Sequence, residues 1–367
     1  MDAILRAAGA VTGAELTDPV DLGGSARSVV LRCRPATGGS VIVKAFSTTD
    51  PEALRAFTAE AAGLSLGLAG PKLLGVDAGF PLFVMEDLGD VPTLADALLG
   101  DDPEVAAQGL SAWARGLGRL AAESVHRRAE LSRLWARYDT GMASPEDESW
   151  VARNAEALPA ALAGAGLAVP PGLAEELALI GRAAGEYPAF TPGDTCPDNG
   201  LLTPTGLRLI DFEAAGYQSV FLTAAYCRMP FSSCWCVFSL PAGLAEEIEQ
   251  LYRSEVVEAY PALADDTVWH AGMRQAVAAW TATSTARLLP RIGEDGPLHR
   301  TRRPVPTRRQ VLRHRWMLAS TVEELPAIAE TMRLLLREVA EGWDVGPLPG
   351  YPAFTRRGDP RGQRRTA

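Results

Sequence analysis

Lysine is nearly missing from this chain: of 35 basic side chains only Lys44 and Lys72 are lysines, and the rest are arginine. The formal charge is −10, which argues against a nucleic-acid binder, since phosphate contacts require clustered basic residues. Histidine is scarce as well, limited to His126, His270, His299 and His314. No H-E-x-x-H, G-x-S-x-G or Walker A sequence occurs, which removes the commonest zinc-protease, serine-hydrolase and P-loop readings. The five cysteines are odd in number and irregularly spaced, with no C-x-x-C. They read as reduced thiols of a cytoplasmic protein rather than a disulfide framework. No apolar run reaches membrane-spanning length. The start, "MDAILRAAGAVTGAELTD", is broken by Arg6 and glycines and resembles neither a signal peptide nor an anchor. The expectation is a soluble protein with no membrane partner.

What is present is apolar sequence in two different periods. "SARSVVLRCRP" and "GSVIVKAF" are β-branched runs on either side of the turn "PATGG", which predicts a hairpin. Asp50-Pro51 gives an N-cap and an N1 proline, and Leu54, Phe57, Ala61, Leu64 and Leu68 follow on one helical stripe. "KLLGVDAGFPLFVMEDLG" reads as a second strand pair. From about residue 93 the pattern turns helical, with a long amphipathic helix opened by Asp102-Pro103 and further helical spans over 242–260, 265–289 and 308–341. The organisation is α+β: residues 1–89 form a small antiparallel-sheet lobe with one helix, and 90–345 a larger helical lobe. Residues 346–367 form a basic, disordered tail.

Three groups of residues could carry chemistry. Lys44 sits mid-strand in "VIVKAF", where a compact ammonium reaching a phosphate is not replaceable by the planar fork of arginine. A strand-edge lysine on a solvent face is the plain alternative. Glu60 falls on the flank of the helix stripe, where it could turn toward Lys44. Gly23, Gly24 and Ser25, in "DLGGSARS", form a turn whose backbone N–H groups could close over phosphates, although most such turns are only turns. In "PGDTCPDN", Asp194 precedes Asn199 by five positions, and Asp211 closes "LRLID". That spacing suits a base followed by hard oxygen ligands for Mg²⁺.

"PGDTCPDN" with "LIDFE" resembles the paired motifs of the aminoglycoside phosphotransferase family, whose fold is bilobal and protein-kinase-like. The likeness extends in order to "VIVK", the Glu60 helix and "FVMEDLG", covering roughly residues 20–240. It implies a small-molecule kinase using ATP or GTP and Mg²⁺. Lys44 would sit on the α- and β-phosphates, held by Glu60. Asp194 would be the catalytic base, Asn199 and Asp211 the metal ligands, and Glu86, Asp87 and Leu88 the hinge bonding the base by its backbone. One position departs from the family pattern: Pro192 stands where a histidine usually precedes Gly-Asp, which places loop geometry and rate in question.

The acceptor would be a hydroxyl-bearing small molecule bound against residues 130–160 and the region beyond 220. The acidic "SPEDES" stretch and Asp265-Asp266 would meet a cationic substrate. Cys227, Cys234 and Cys236 read as buried thiols rather than a metal site. The positive run over 299–316 reads as a solvated loop and helix face. The competing function is a nucleotide-binding pseudokinase with a regulatory role. Pro192 favours it, and the intact set Lys44, Glu60, Asp194, Asn199 and Asp211 opposes it.

Overall fold

The computed structural model describes residues 1–141, 149–231 and 234–355. The first ninety residues build one five-stranded antiparallel sheet. In chain order helix α1 (Asp2–Thr12) is followed by strands β1 (Leu16–Ser25), β2 (Ser28–Pro35) and β3 (Val41–Phe46). Helix α2 (Pro51–Ser65) comes next, then β4 (Leu73–Asp77) and β5 (Leu82–Glu86). The spatial order is β1-β2-β3-β5-β4, so β3 lies at the centre. All six residues of β3 are buried, as expected of a strand covered on both faces. Val41, Val43 and Ala45 pack toward α1, in a small core with Ala8, Leu31, Leu82 and Val84. Ile42 and Phe46 pack the other way, with Phe57, Phe83 and Met85 on the α2 side.

Helix α1 is a second helix in a lobe where the sequence suggested one. Its short apolar face was hidden by the two glycines and Arg6, and it becomes helical by docking on the sheet. Helix α2 also exceeds its predicted stripe: every residue from Ala56 to Leu64 is buried, because the sheet and the second lobe cover it from two sides. Asp50 caps it, its carboxylate accepting from the Glu52 N–H at 2.9 Å.

After β5 the chain crosses into the helical lobe. It holds α3 (Leu94–Leu99), α4 (Pro103–Ser124), α5 (Arg128–Arg137), α6 (Trp150–Ala155), α7 (Leu158–Gly164) and α8 (Leu173–Ala183). Two short two-stranded sheets come next. Strand β6 (Pro188–Thr191) pairs with β9 (Gly216–Ser219), and β7 (Gly200–Thr203) with β8 (Gly206–Leu209), all antiparallel. Helices α9 (Val220–Ala224), α10 (Ala242–Ala259), α11 (Asp266–Leu288), α12 (Arg308–Ala319) and α13 (Pro326–Leu335) complete the lobe. The span predicted helical over 308–341 is divided before Pro326, whose ring cannot continue a helix. The capping box of Thr307 and Gln310 fixes where α12 begins. Among the described residues no helix is long and apolar enough to cross a membrane.

Candidate functional site

Strand alternation decides where Lys44 points. It shares the face of Ile42 and Phe46, so its side chain runs beneath α2 rather than into solvent, and it is 7 % exposed. The solvent-face alternative is therefore excluded. Its Nζ donates to Glu60 Oε2 at 2.6 Å and to Asp211 Oδ1 at 2.8 Å. Burial alone would lower the lysine pKa, but the carboxylates of Glu60 and Asp211 more than reverse this, so the ammonium stays charged. Burial pushes the Glu60 carboxyl up to about 7, against the pull of Lys44.

Asp211 is held by its neighbour. Its backbone is left-handed, φ 64°, which costs energy for a non-glycine residue and turns the carboxylate toward Lys44. The next side chain, Phe212, is fully buried and stacks on Phe190 with ring centroids 6.1 Å apart. Two glycines make room for it. A Cβ on Gly63 would meet the Phe212 ring at 3.1 Å and Ala215 Cβ at 2.8 Å, and one on Gly70 would meet the ring at 2.9 Å. The glycine content of α2 and the β4 approach is thus the negative image of an aromatic anchor.

Asp194 occupies the loop between β6 and β7. Gly193, with φ 102°, lies so close to Ala214 that a Cβ would come within 2.4 Å of Ala214 Cβ. The Asp194 loop and the Asp211–Ala214 segment are consequently packed together. Asn199 ends a 3₁₀ turn before β7, and its Nδ2 donates to the Asp194 carbonyl at 3.0 Å. Its amide oxygen is then the atom left for a cation. The Ile210 N–H donates to the Asn199 carbonyl at 3.0 Å, which ties the Asn199 turn to the strand that leads to Asp211.

Pro192 is buried, and other groups brace the loop around it. Thr191 Oγ1 accepts from the Gly193 N–H at 3.1 Å. The Trp113 indole, from α4, donates to the Thr195 carbonyl at 3.3 Å. Nothing in the sequence pairs Trp113 with this loop, because the bond spans 82 positions.

The other predicted residues are placed differently. Gly23, Gly24 and Ser25 end β1 at the tip of the first hairpin, with Gly24 so tight that a Cβ would meet the Ser28 carbonyl at 2.3 Å. The Gly23 N–H donates to Asp21 Oδ1 at 2.8 Å, so one proposed phosphate donor is engaged by a carboxylate. Arg27, beside this turn, reaches Glu213 at 3.6 Å, placing the hairpin tip over the Asp211 segment. At the crossing between lobes Glu86 ends β5, and its carboxylate accepts from the Lys72 N–H at 3.1 Å and from Arg208 at 3.2 Å. Arg32 on β2 grips Asp87 at 2.8 Å and Asp90 at 2.8 Å. Leu88 lies between them, half-buried.

Beside Asp194 opens a cavity of about 670 Å³. It is lined by the aromatics Trp135, Trp150, Tyr217 and Trp280, by Arg27, Arg55, Arg128 and Arg153, and by the carboxylates Glu52, Asp194 and Glu213. No sequence pattern joins these residues, since they come from the first hairpin, four helices and strand β9. The residues 130–160 were expected at such a site, and part of that range does line it. Asp265 and Asp266 were expected to meet substrate but are used elsewhere. Asp265 caps α11, and Asp266 pairs with Arg253 at 2.6 Å. Residues 144–148 of the acidic stretch lie outside the described residues. Of the tail expected to be disordered over 346–367, residues 346–355 are instead packed on the helical lobe, with Tyr351 fully buried and its hydroxyl donating to the Cys236 carbonyl at 2.7 Å, and 356–367 lie outside the described residues.

All five cysteines are buried and none forms a disulfide. Three of them meet behind the Asp194 loop: Cys234 Sγ is 3.1 Å from Cys236 Sγ, and the donor atoms of Cys196, Asp198 and Cys234 lie within 4.8 Å of one another. Despite burial, thiol donors from Cys196 and Cys236 pull Cys234 down to about 6. The basic run over 299–316 is less solvated than its charge suggests. Arg315 and Trp316 are buried, Arg308 and Arg309 donate to carbonyls at 292–294, and Arg302 lies 4.7 Å over the Trp235 ring.

No protein-family model and no curated protein matches this chain. Solved structures do. An ethanolamine kinase of Plasmodium vivax aligns over 86 % of this chain and 84 % of its own, at 10 % identity and a TM-score of 0.50. A macrolide 2′-phosphotransferase of Brachybacterium faecium aligns over 88 % and 98 %, at 17 % identity and a TM-score of 0.46. An amicoumacin kinase solved with AMP-PNP and Ca²⁺ aligns over 90 % and 93 %, at 13 % identity and 0.47. The chain has the bilobal protein-kinase-like fold, on the strength of the first of these alignments.

Proposed function

We propose that this protein is a phosphotransferase that moves the γ-phosphoryl group of ATP or GTP to a hydroxyl of a small molecule. The observation that carries this reading is the buried Lys44–Glu60–Asp211 cluster facing the loop that bears Asp194. An ammonium buried at this cost is rarely kept for stability alone. It gives a fixed positive charge where a nucleotide's α- and β-phosphates would lie.

The donor set fits a hard divalent cation: the Asp211 carboxylate and the Asn199 amide oxygen are few and hard, as Mg²⁺ requires when phosphates complete its shell. Bound there, Mg²⁺ would supply neutralisation of phosphate charge. The chain's own residues do the rest. Lys44, kept protonated by two carboxylates, holds the phosphates, and Glu60 keeps it from swinging away. Asp194 takes the proton of the acceptor hydroxyl as its oxygen forms a bond to the γ-phosphorus and the bond to the leaving diphosphate breaks. Residues 86–88 would bond the base, and residues 1–89 and 90–345 would act as the two lobes around it. Catalysis of this kind is mostly positioning and electrostatics.

The test is a thermal-shift titration with MgATP and MgGTP on wild type and Asp211→Asn. Binding to the native state alone adds about 2.7 kcal/mol at a hundred times Kd. A Mg²⁺-dependent shift that Asp211→Asn loses is expected. Absence of a shift with both nucleotides would overturn the reading.

A further inference from the structure

The buried cysteines of this chain are not buried alike. Cys33 sits in the apolar core of the small sheet with Ala8, Leu31 and Val43, as a small hydrophobe does. Cys196, Cys234 and Cys236 instead converge on a carboxylate. Cys234 Sγ lies 3.1 Å from Cys236 Sγ and 3.9 Å from Asp198 Oδ1. The donor atoms of Cys196, Asp198 and Cys234 all fall within 4.8 Å of one another, and among the described residues no other group of three such donors meets this closely.

We propose that Cys196, Asp198, Cys234 and Cys236 form a zinc site, structural in role and separate from the Asp211 and Asn199 set proposed for Mg²⁺.

Ligand chemistry chooses the metal. Magnesium takes hard oxygen donors and has no use for thiolates, whereas zinc accepts sulfur and carboxylate oxygen together, in closed tetrahedral sets of four. With Zn–S near 2.3 Å and Zn–O near 2.0 Å, tetrahedral ligand atoms stand about 3.5–3.8 Å apart. The separations of 3.1 and 3.9 Å around Cys234 bracket that range, so small side-chain rotations would close the shell.

The surroundings suit such a site, because metal ligands are themselves held by outer partners. The Trp235 indole donates to Asp198 Oδ2 at 2.7 Å, which leaves Oδ1 facing Cys234. The Cys236 N–H donates to Cys234 Sγ at 3.4 Å, a bond that favours the thiolate. Arg302 lies 3.8 Å from Asp198 Oδ2 and offsets the negative charge that three thiolates and a carboxylate leave around one Zn²⁺. The Asp198 side chain is 23 % exposed, which gives an otherwise buried cluster a path from solvent.

Position sets the role. Cys196 and Asp198 lie between Asp194 and Asn199, while Cys234 and Cys236 belong to the segment between α9 and α10. A zinc ion would fasten the loop carrying the proposed base to a segment that also holds Tyr351 through the Cys236 carbonyl. The sequence shows Cys234-x-Cys236 but not its partners, since Asp198 is 36 positions away from Cys234.

The test uses the full chain without an affinity tag, reduced, stripped with a chelator and titrated with Co²⁺ as a spectroscopic substitute for zinc. About one equivalent should bind, with a sulfur-to-metal charge-transfer band and the visible bands of a tetrahedral site. Zn²⁺ should displace it, and excess Mg²⁺ should not. Zn²⁺ should also raise the melting temperature of the stripped protein. Cys196→Ser and Cys234→Ser should each weaken the band and the affinity, and Cys33→Ala should keep both. Asp198→Asn should lower the affinity by about tenfold or more, since even outer partners of a metal are worth about 10–100-fold.

Uptake of no Co²⁺, or uptake with no charge-transfer band, overturns the site. So does a band unchanged in Cys196→Ser and Cys234→Ser, or an affinity unchanged in Asp198→Asn. A melting temperature that zinc leaves unmoved overturns the structural role. Circular dichroism checks the fold of each variant, and the wild-type titration decides the matter if a variant does not fold. None of these outcomes depends on the phosphotransferase reading, which nucleotide binding tests separately.

Discussion

Lys44 and Asp211 are separated by 167 positions in sequence and by 2.8 Å in space. One sits at the centre of the small sheet and the other in a strained turn of the helical lobe, so this buried ion pair joins the two lobes, as the more exposed pairs Arg27–Glu213 and Arg208–Glu86 also do. Glu60 completes it from α2. Lys44 and Glu60 are buried while Asp211 is partly exposed, and loss of the single ammonium leaves both carboxylates uncompensated.

Lys44→Met should therefore damage both stability and turnover. Removing the ammonium leaves Glu60 buried beside Asp211 with no cation, and breaking a buried pair in this way typically costs about 3–5 kcal/mol. Urea unfolding measures that loss. Adding Glu60→Gln to Lys44→Met should recover part of it, and a double-mutant cycle reads the coupling.

Asp194→Asn tests the base without disturbing the cluster. Transfer to the acceptor should fall by about 10²–10⁴-fold, the usual worth of a positioned general base. Nucleotide binding by calorimetry should remain. Full turnover in this variant would remove Asp194 from the proposed mechanism.

Stability should carry a pH signature from Glu60. Its folded pKa of about 7 lies above the ordinary value of 4.5, so the folded state holds the proton more tightly than the unfolded chain does. The stabilisation from that proton is complete below the unfolded pKa and is lost as pH rises through about 7. Compared with Glu60→Gln, wild type should lose stability between about pH 5 and 8. Lys44 has its pKa raised as well, but its contribution is lost only at strongly alkaline pH, outside this window. Chemical denaturation of both proteins across the range gives the slope, and a flat difference would mean that Glu60 is ionised throughout.

Gly63→Ala should act at a distance on the site. The added methyl meets Ala215 and the Phe212 ring, and overpacking of this kind costs about 1–3 kcal/mol. Because Phe212 anchors Asp211, kcat should fall along with Tm. A variant that loses stability but keeps kcat would show that the ring can shift without moving the carboxylate.

Trp113→Phe removes the indole donor to the Thr195 carbonyl while retaining most of the packing. Leaving a buried acceptor unpaired costs about 1–3 kcal/mol. If this bond braces the loop that carries Pro192, kcat should drop more than KM rises, as steady-state kinetics would show.

The order of chemistry-bearing residues was legible in the sequence because each lies in a short segment with its own local signal. Lys44 stands in a β-branched run, Glu60 on a capped helix, Asp194 and Asn199 in a turn marked by glycine and proline, and Asp211 at the close of the run "LRLID". Local periodicity also separated a strand-rich first part from a helical remainder. What it could not show was docking. Helix α1 and the full burial of α2 depend on surfaces supplied by distant parts of the chain. The fate of Asp265 and Asp266 depended on whether they faced a cavity or a helix end, and in the fold they cap α11 and hold Arg253.

By itself the sequence determined which side chains could perform phosphoryl chemistry and in what order they occur, since residue type and spacing are properties of the chain. Only the tertiary structure decided that Lys44 is buried, that its partners are Glu60 and Asp211 together, and that four arginines from separate elements gather beside Asp194. Contacts between segments tens to hundreds of positions apart are set by how whole elements pack against one another. No local pattern encodes a cavity that forms only where those elements meet.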